Sequence, residues 1–129
     1  MAVKFDLLGI VVKSIPESVA FYRLLGMEIA EPPPGEDHFE TVFPNGLRFA
    51  WDAAEMVKSF MPHWVDPVGH RMGMAFLCDS PAQVDEVFNR IVDAGYAAVA
   101  QPWDAFWGQR YAQVSDPDGN VVDLFAPLQ

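Results

Sequence analysis

Near the C-terminus, Asp116-Pro117-Asp118-Gly119-Asn120 reads as a type I turn closed by a left-handed glycine. That turn sets a hairpin register with Gln113 opposite Asp123 and Tyr111 opposite Phe125. Alternation then puts Tyr111, Gln113, Val121, Asp123 and Phe125 on one face. Ala112, Val114, Val122 and Leu124 take the other face, against a helix. A phenol, an amide and a carboxylate side by side could hydrogen-bond a ligand or pair with a cationic group. The competing reading ties Asp123 to Arg48 or Arg110, because a buried carboxylate needs a partner.

Just before this hairpin comes Trp103-Asp104-Ala105-Phe106-Trp107-Gly108-Gln109-Arg110. Aromatic rings offer large contact area at low entropy cost. Trp103, Phe106 and Trp107 are therefore candidates to stack on a flat, apolar ligand, with Arg110 orienting it. The plainer reading is a loop tucked over a sheet edge or into a dimer interface. Met56, Phe60, Met61, His63 and Trp64 could close the other end of a binding cleft, since methionine and aromatics adapt to irregular shapes. They equally fit an ordinary packing stripe. The histidines, His38, His63 and His70, lack tight metal-binding spacing. His38 falls opposite Asp52 and near Glu40, which suits a displaced metal site, an acid-base pair or simply a solvated polar face. His70 reaches a ligating position only if its strand shifts.

The elements that must position these groups come in two similar halves. Each opens on an apolar run, Leu7 to Val12 and Gly73 to Cys78, ended by a Ser that caps a helix, Ser14 or Ser80. Each helix stops near a glycine, Gly26 or Gly95. Each half later has a turn, Pro44-Asn45-Gly46 or Pro117-Asp118-Gly119. The predicted strands are Phe5–Val12, Met27–Ala30, His38–Phe43 and Leu47–Asp52, then Arg71–Cys78, Tyr96–Ala100, Tyr111–Ser115 and Val121–Ala126. Pro102 to Gly108 is read as an aromatic loop. Each half is thus β-α-β-β-β. Superposing Gly46 on Gly119 sets Ala50 where Asp123 stands. His38, Glu40, Arg48 and Asp52 share the face of Ala50, and Phe39, Thr41, Phe43, Phe49 and Trp51 take the helix side.

The 129 residues suit one domain made of module 1 (1–52), a linker (53–70) and module 2 (71–129). Half the residues are hydrophobic, enough for a core. The formal charge of −10 argues against nucleic-acid and anionic-membrane partners and favours neutral or cationic ligands. The single cysteine, Cys78, excludes an intrachain disulfide and reads as a buried thiol. No stretch looks like a signal peptide or a membrane span, so the expected location is cytoplasmic. Phosphate loops, zinc patterns and nucleophile elbows are absent from the sequence.

Leu8-Gly9-Ile10-Val11-Val12, the segment Ser18 to Gly26, and Asp116-Pro117-Asp118-Gly119-Asn120-Val121-Val122-Asp123-Leu124 together resemble the glyoxalase/bleomycin resistance/extradiol dioxygenase superfamily, the vicinal oxygen chelate proteins. The resemblance covers essentially the whole chain. It implies an α+β fold in which two βαβββ modules form an incomplete barrel around a shared cleft, and it implies a homodimer. Enzymes of this family hold a divalent metal through side chains that map onto Leu7, Ala50, Gly73 and Asp123. Only Asp123 is a ligand type, and tight zinc, iron or nickel sites need about three or four protein ligands.

The expected function is metal-free binding of a small apolar or aromatic molecule, as in bleomycin-resistance-type members, without catalytic residues or cofactor. Trp103, Phe106, Trp107, Arg110, Tyr111, Gln113, Asp123, His38, Phe60 and Trp64 are the candidate ligand contacts. The alternatives are a metal-dependent lyase, isomerase or dioxygenase using unorthodox ligands from His38, Glu40, His63, His70 and Asp123, or a metal-independent acid-base enzyme using Asp123 or His38.

Overall fold

Ser14 and Ser80 start the two longer helices as their side chains predict. The Glu17 amide donates to Ser14 Oγ at 3.3 Å, and the Gln83 amide donates to Ser80 Oγ at 3.2 Å. Pro81 follows Ser80 where its missing N–H costs nothing. The computed structural model describes residues 3–128. In chain order the elements are β1 (Leu7–Val12), α1 (Ile15–Leu24), β2 (His38–Val42), β3 (Arg48–Ala53), α2 (Ala54–Phe60), β4 (Met74–Leu77), α3 (Pro81–Asp93), β5 (Ala98–Ala105), β6 (Gln109–Ser115) and β7 (Val121–Pro127). They make an α+β fold with two open sheets, ordered β1-β3-β2 and β4-β7-β6-β5. No helix among the described residues is long and apolar enough to cross a membrane.

The chain forms two compact units, and the boundary cuts α1. One unit holds the chain up to Ala20 together with Glu28–Pro67. The other holds Phe21–Met27 and the chain from Val68 onward. Phe21–Met27 groups with the second unit because its side chains are buried there. Phe21 packs edge-on against Tyr96 at 5.0 Å, and the Leu24 carbonyl accepts from Arg90 Nη1 at 3.0 Å.

In the first unit, β3 is central, parallel to β1 and antiparallel to β2. The face expected to be apolar is so. Phe49 and Trp51 are buried, their rings 4.9 Å apart, with Phe39 against Trp51 and Phe43 against Phe49. Met27–Ala30, read as a strand, is not one. Pro32-Pro33-Pro34 follows directly and offers no N–H to continue a ladder. A side chain makes the link to β2 instead, with Thr41 Oγ1 donating to the Glu28 carbonyl at 3.0 Å. The Met56/Val57/Phe60 pattern becomes α2, which buries Val57 and ends at Phe60, just before Pro62.

In the second unit, α3 carries Val84, Val87, Phe88 and Ile91 on one helical face, all buried. They face the fully buried Ala112, Val114, Val122 and Leu124 of β6 and β7. The turn between those strands has Gly119 at φ +87°, a conformation other residues adopt only with strain.

The largest departure from expectation is β5. Pro102 and Trp103 were expected in a loop, yet the strand runs unbroken from Ala98 to Ala105. It is an edge strand, and its pairing with β6 slips twice. Ala98 pairs with Val114 and Ala100 with Gln113; Ala100 pairs with Gln113 and Trp103 with Tyr111. Each slip inserts one extra residue on β5, and Pro102 lies in the second. Proline is tolerated at an edge-strand bulge, where no ladder N–H is required.

Candidate functional site

The bulges in β5 set which side chains meet. The second slip brings Trp103 directly opposite Tyr111, so both rings stand on one face of the sheet. The turn that follows is short, closed by the Gly108 amide donating to the Ala105 carbonyl at 3.0 Å. It swings Trp107 back over the same face. Trp103, Trp107 and Tyr111 then lie edge to face, with centroids 6.0, 5.5 and 5.3 Å apart. Phe125 extends the cluster from β7, 6.3 Å from Tyr111. Trp107 is pinned by its indole N–H, which donates to Gln109 Oε1 at 2.8 Å. Trp103 and Trp107 keep 37% and 48% of their surface exposed, and Phe106 at the turn is 97% exposed. This is a wall carried on a hairpin: the first part of the expected aromatic loop, up to Ala105, is strand, and Phe106, Trp107 and Gly108 form the turn.

Asp123 lies beside these rings, and the predicted register holds: Gln113 pairs with Asp123 and Tyr111 with Phe125. The Tyr111 hydroxyl donates to Asp123 Oδ2 at 2.5 Å, and Gln113 Nε2 donates to Oδ1 at 2.9 Å. Partial burial, with the carboxylate bond second, pushes the Tyr111 phenol up to about 12. Tyr111 is therefore a donor throughout the physiological range. Arg110 does not join the group, contrary to expectation. One residue out of step with Tyr111, it points to the opposite face and pairs with Asp85 of α3 at 3.1 Å and Asp104 at 3.0 Å. The expected Arg48 partner is equally engaged elsewhere, with Asp6 at 2.8 Å and Glu40 at 2.9 Å.

His38, in the first unit, pairs with Asp52 across the β2–β3 ladder as predicted. Its Nδ1 is 2.5 Å from Asp52 Oδ1, and its Nε2 is 2.7 Å from Glu40 Oε2. A neutral imidazole has one N–H, so only the protonated ring satisfies both contacts. The bond to Glu40, then that to Asp52, raises the His38 pKa above its ordinary value. The two carboxylates flank the ring from opposite nitrogens and do not converge on a common ion. Phe60, also predicted, is exposed on α2, and Trp64 donates to Asp66 Oδ1 at 3.0 Å in the same unit. Trp64 lines a shallow depression there with Lys58, Met61, Pro62 and Asp66.

The residues do not fit the divalent metal that the family's enzymes carry. Strand pairing puts Gly9 beside Ala50 and Ala75 beside Asp123, which confirms Leu7 and Gly73 as equivalent positions. Three of the four corresponding side chains have no donor atom, and Asp123 alone cannot supply the roughly three or four protein ligands that such an ion needs. Among the described residues, no group of three or more His, Cys, Asp or Glu side chains could hold a metal ion.

Sequence reasoning missed Phe125 as part of the aromatic face, although the hairpin register already placed it there. It also missed Asp85, whose pairing with Arg110 spans 25 positions and has no local signal.

This fold and these motifs agree with what the whole chain matches. The chain belongs to the Glyoxalase/Bleomycin resistance protein/Dioxygenase superfamily, whose family model matches residues 4–124. It is similar in structure to a glyoxalase/bleomycin resistance protein/dioxygenase family enzyme from Burkholderia phytofirmans PsJN, with a TM-score of 0.82 at 18% identity, covering 98% of this chain and 100% of that one. A glyoxalase-related enzyme from Fulvimarina pelagi gives 0.80 at 17% identity, covering 95% and 87%. Protein ATC0852 from Agrobacterium tumefaciens gives 0.75 at 26% identity, covering 99% and 100%. No curated protein matches the sequence.

Proposed function

We propose that this protein binds a small, flat, largely apolar molecule without a metal, using the Trp103–Trp107–Tyr111 face. The observation that carries the reading is the fixed, half-exposed indole pair beside a hydrogen-bonded carboxylate. Exposed aromatic surface held rigidly suits stacking, because little entropy is lost when a ligand arrives. The donorless side chains at Leu7, Ala50 and Gly73 support binding over metal-dependent chemistry. Sequestration of a toxic aromatic compound would need nothing more.

Two measurements test it together. Elemental mass spectrometry of untagged protein, purified without chelator, is expected to show no stoichiometric Zn, Ni, Fe or Mn, before or after incubation with each. Tryptophan fluorescence is expected to respond saturably to planar aromatic compounds, and Trp107→Ala to weaken that response. About one metal per chain, lost in Asp123→Ala, would sink the proposal.

We also propose that the chain pairs with a second copy. Leu77 is 67% exposed on β4, one of the two edge strands of its sheet, and Met72 just before it is also exposed. Light scattering is expected to give twice the chain mass.

A further inference from the structure

We infer that the molecule bound at the Trp103–Tyr111 face is an organic cation, a planar aromatic ring bearing a quaternary or protonated nitrogen whose charge lies against Asp123. The inference rests on the binding function proposed above and names the class of ligand.

Three observations converge on it. Asp123 is half-buried, and its described partners are both neutral: the Tyr111 hydroxyl and the Gln113 amide. Such donors orient a carboxylate and stabilise it, but they cancel none of its charge. Each oxygen accepts about two hydrogen bonds, so each keeps one accepting position after these contacts.

Among the described residues, no cation forms an ion pair with Asp123. Arg110, the cation closest to the site along β6, is turned away and held by Asp85 and Asp104. A half-buried charge left without a counterion stands at a cost that an incoming cation would relieve.

The surface beside that charge is aromatic. The indole faces of Trp103 and Trp107 attract cations through the ring quadrupole, and desolvation strengthens that attraction. The rings are packed edge to face at 5.3 to 6.0 Å, which leaves no gap for an ammonium between them. The cationic nitrogen therefore sits at the carboxylate, and the attached ring lies on the exposed indole surface. The chain's formal charge of −10 also draws cations toward it. An anionic ring of the same shape would meet the uncompensated carboxylate and be repelled.

Equilibrium dialysis of the full chain near pH 7.5 with N-methylacridinium, neutral acridine and acridine-9-carboxylate separates these cases. N-methylacridinium is expected to bind at least about tenfold tighter than acridine, with the carboxylate weakest. Asp123→Asn keeps the shape and removes the charge, and should cut the cation's advantage over acridine to below about twofold. Asp123→Glu keeps the charge and should retain the preference, which guards against a folding defect in the first variant. Equal binding of acridine and N-methylacridinium, or a preference that survives Asp123→Asn, would overturn the inference and leave ring binding standing. Failure of all three compounds to bind would overturn both proposals.

Discussion

The Tyr22 hydroxyl donates to Asp116 Oδ2 at 2.7 Å, and so ties the C-terminal half of α1 to the turn between β6 and β7. The same carboxylate takes the backbone amides of Asp118 and Asn120 on Oδ1, at 2.9 and 2.8 Å, and the Asn120 side chain on Oδ2 at 2.8 Å. Both partners are buried. The conspicuous Asp-Pro-Asp-Gly-Asn motif is thus an anchor. It sets the hairpin register that places Asp123, and takes no part in the site itself.

Removing this bond should be expensive. Tyr22→Phe should destabilise the protein by about 1.5–3 kcal/mol, as for a buried hydrogen bond to a charged group. Asp116→Ala should cost more, because it removes the carboxylate acceptor of the Tyr22 hydroxyl and of two turn amides at once. Urea unfolding of the two variants gives the order; a Tyr22→Phe protein as stable as the parent would show that the contact is unimportant.

The His38 network makes stability depend on pH in a defined direction. His38 has a raised pKa in the folded chain, so its contribution is full below the ordinary 6.5 and is lost as pH rises through the folded value. Glu40 is held below its ordinary 4.5, first by His38 and then by Arg48. Its contribution is present above 4.5 and is lost as pH falls through the folded value. With Asp52, Arg48 and Asp6 around them, the two are jointly most favourable between 4.5 and 6.5. The urea midpoint of the parent relative to His38→Gln should therefore fall as pH is raised above 6.5. An unchanged difference from pH 5.5 to 9 would refute the imidazolium assignment.

Arg110 and Trp107 separate stability from binding. Arg110→Ala should cost under about 1 kcal/mol, since its partners are solvent-exposed, and leave aromatic-ligand binding intact because it faces α3. Trp107→Ala should weaken binding with little change in fold. Loss of binding in Arg110→Ala would contradict the strand alternation described for β6.

Core and turn positions should differ sharply. Leu124→Ala empties a fully buried position beneath α3 and should cost about 2–5 kcal/mol. Phe106→Ala removes a ring that is 97% exposed and meets Trp107 edge-on at 5.0 Å, and should fall within about 0.5 kcal/mol of the parent. Paired thermal melts check both.

Local sequence determined a good deal. The Ser14 and Ser80 caps, the glycine turns, the β6–β7 register and the alternation that buries Leu124 beside Asp123 all depend on residues within a few positions of one another. Backbone geometry and hydrophobic period are enough to specify them. The lack of ligand side chains at Leu7, Ala50 and Gly73 was equally legible, because it needs only side-chain chemistry at the positions that the family resemblance assigns.

The tertiary structure decided what depends on neighbours far along the chain. Pro102 reads locally as a break, and it is accommodated in β5 only because that strand lies at a sheet edge with a bulge. That bulge, invisible in the composition, brings Trp103 opposite Tyr111. Arg110 looks like a site residue beside Trp107 until α3 supplies Asp85. Among the described residues Asp123 has no counterion, because the arginines proposed for it find carboxylates elsewhere. An ion pair is chosen by distance in space, and spacing in sequence does not encode that distance.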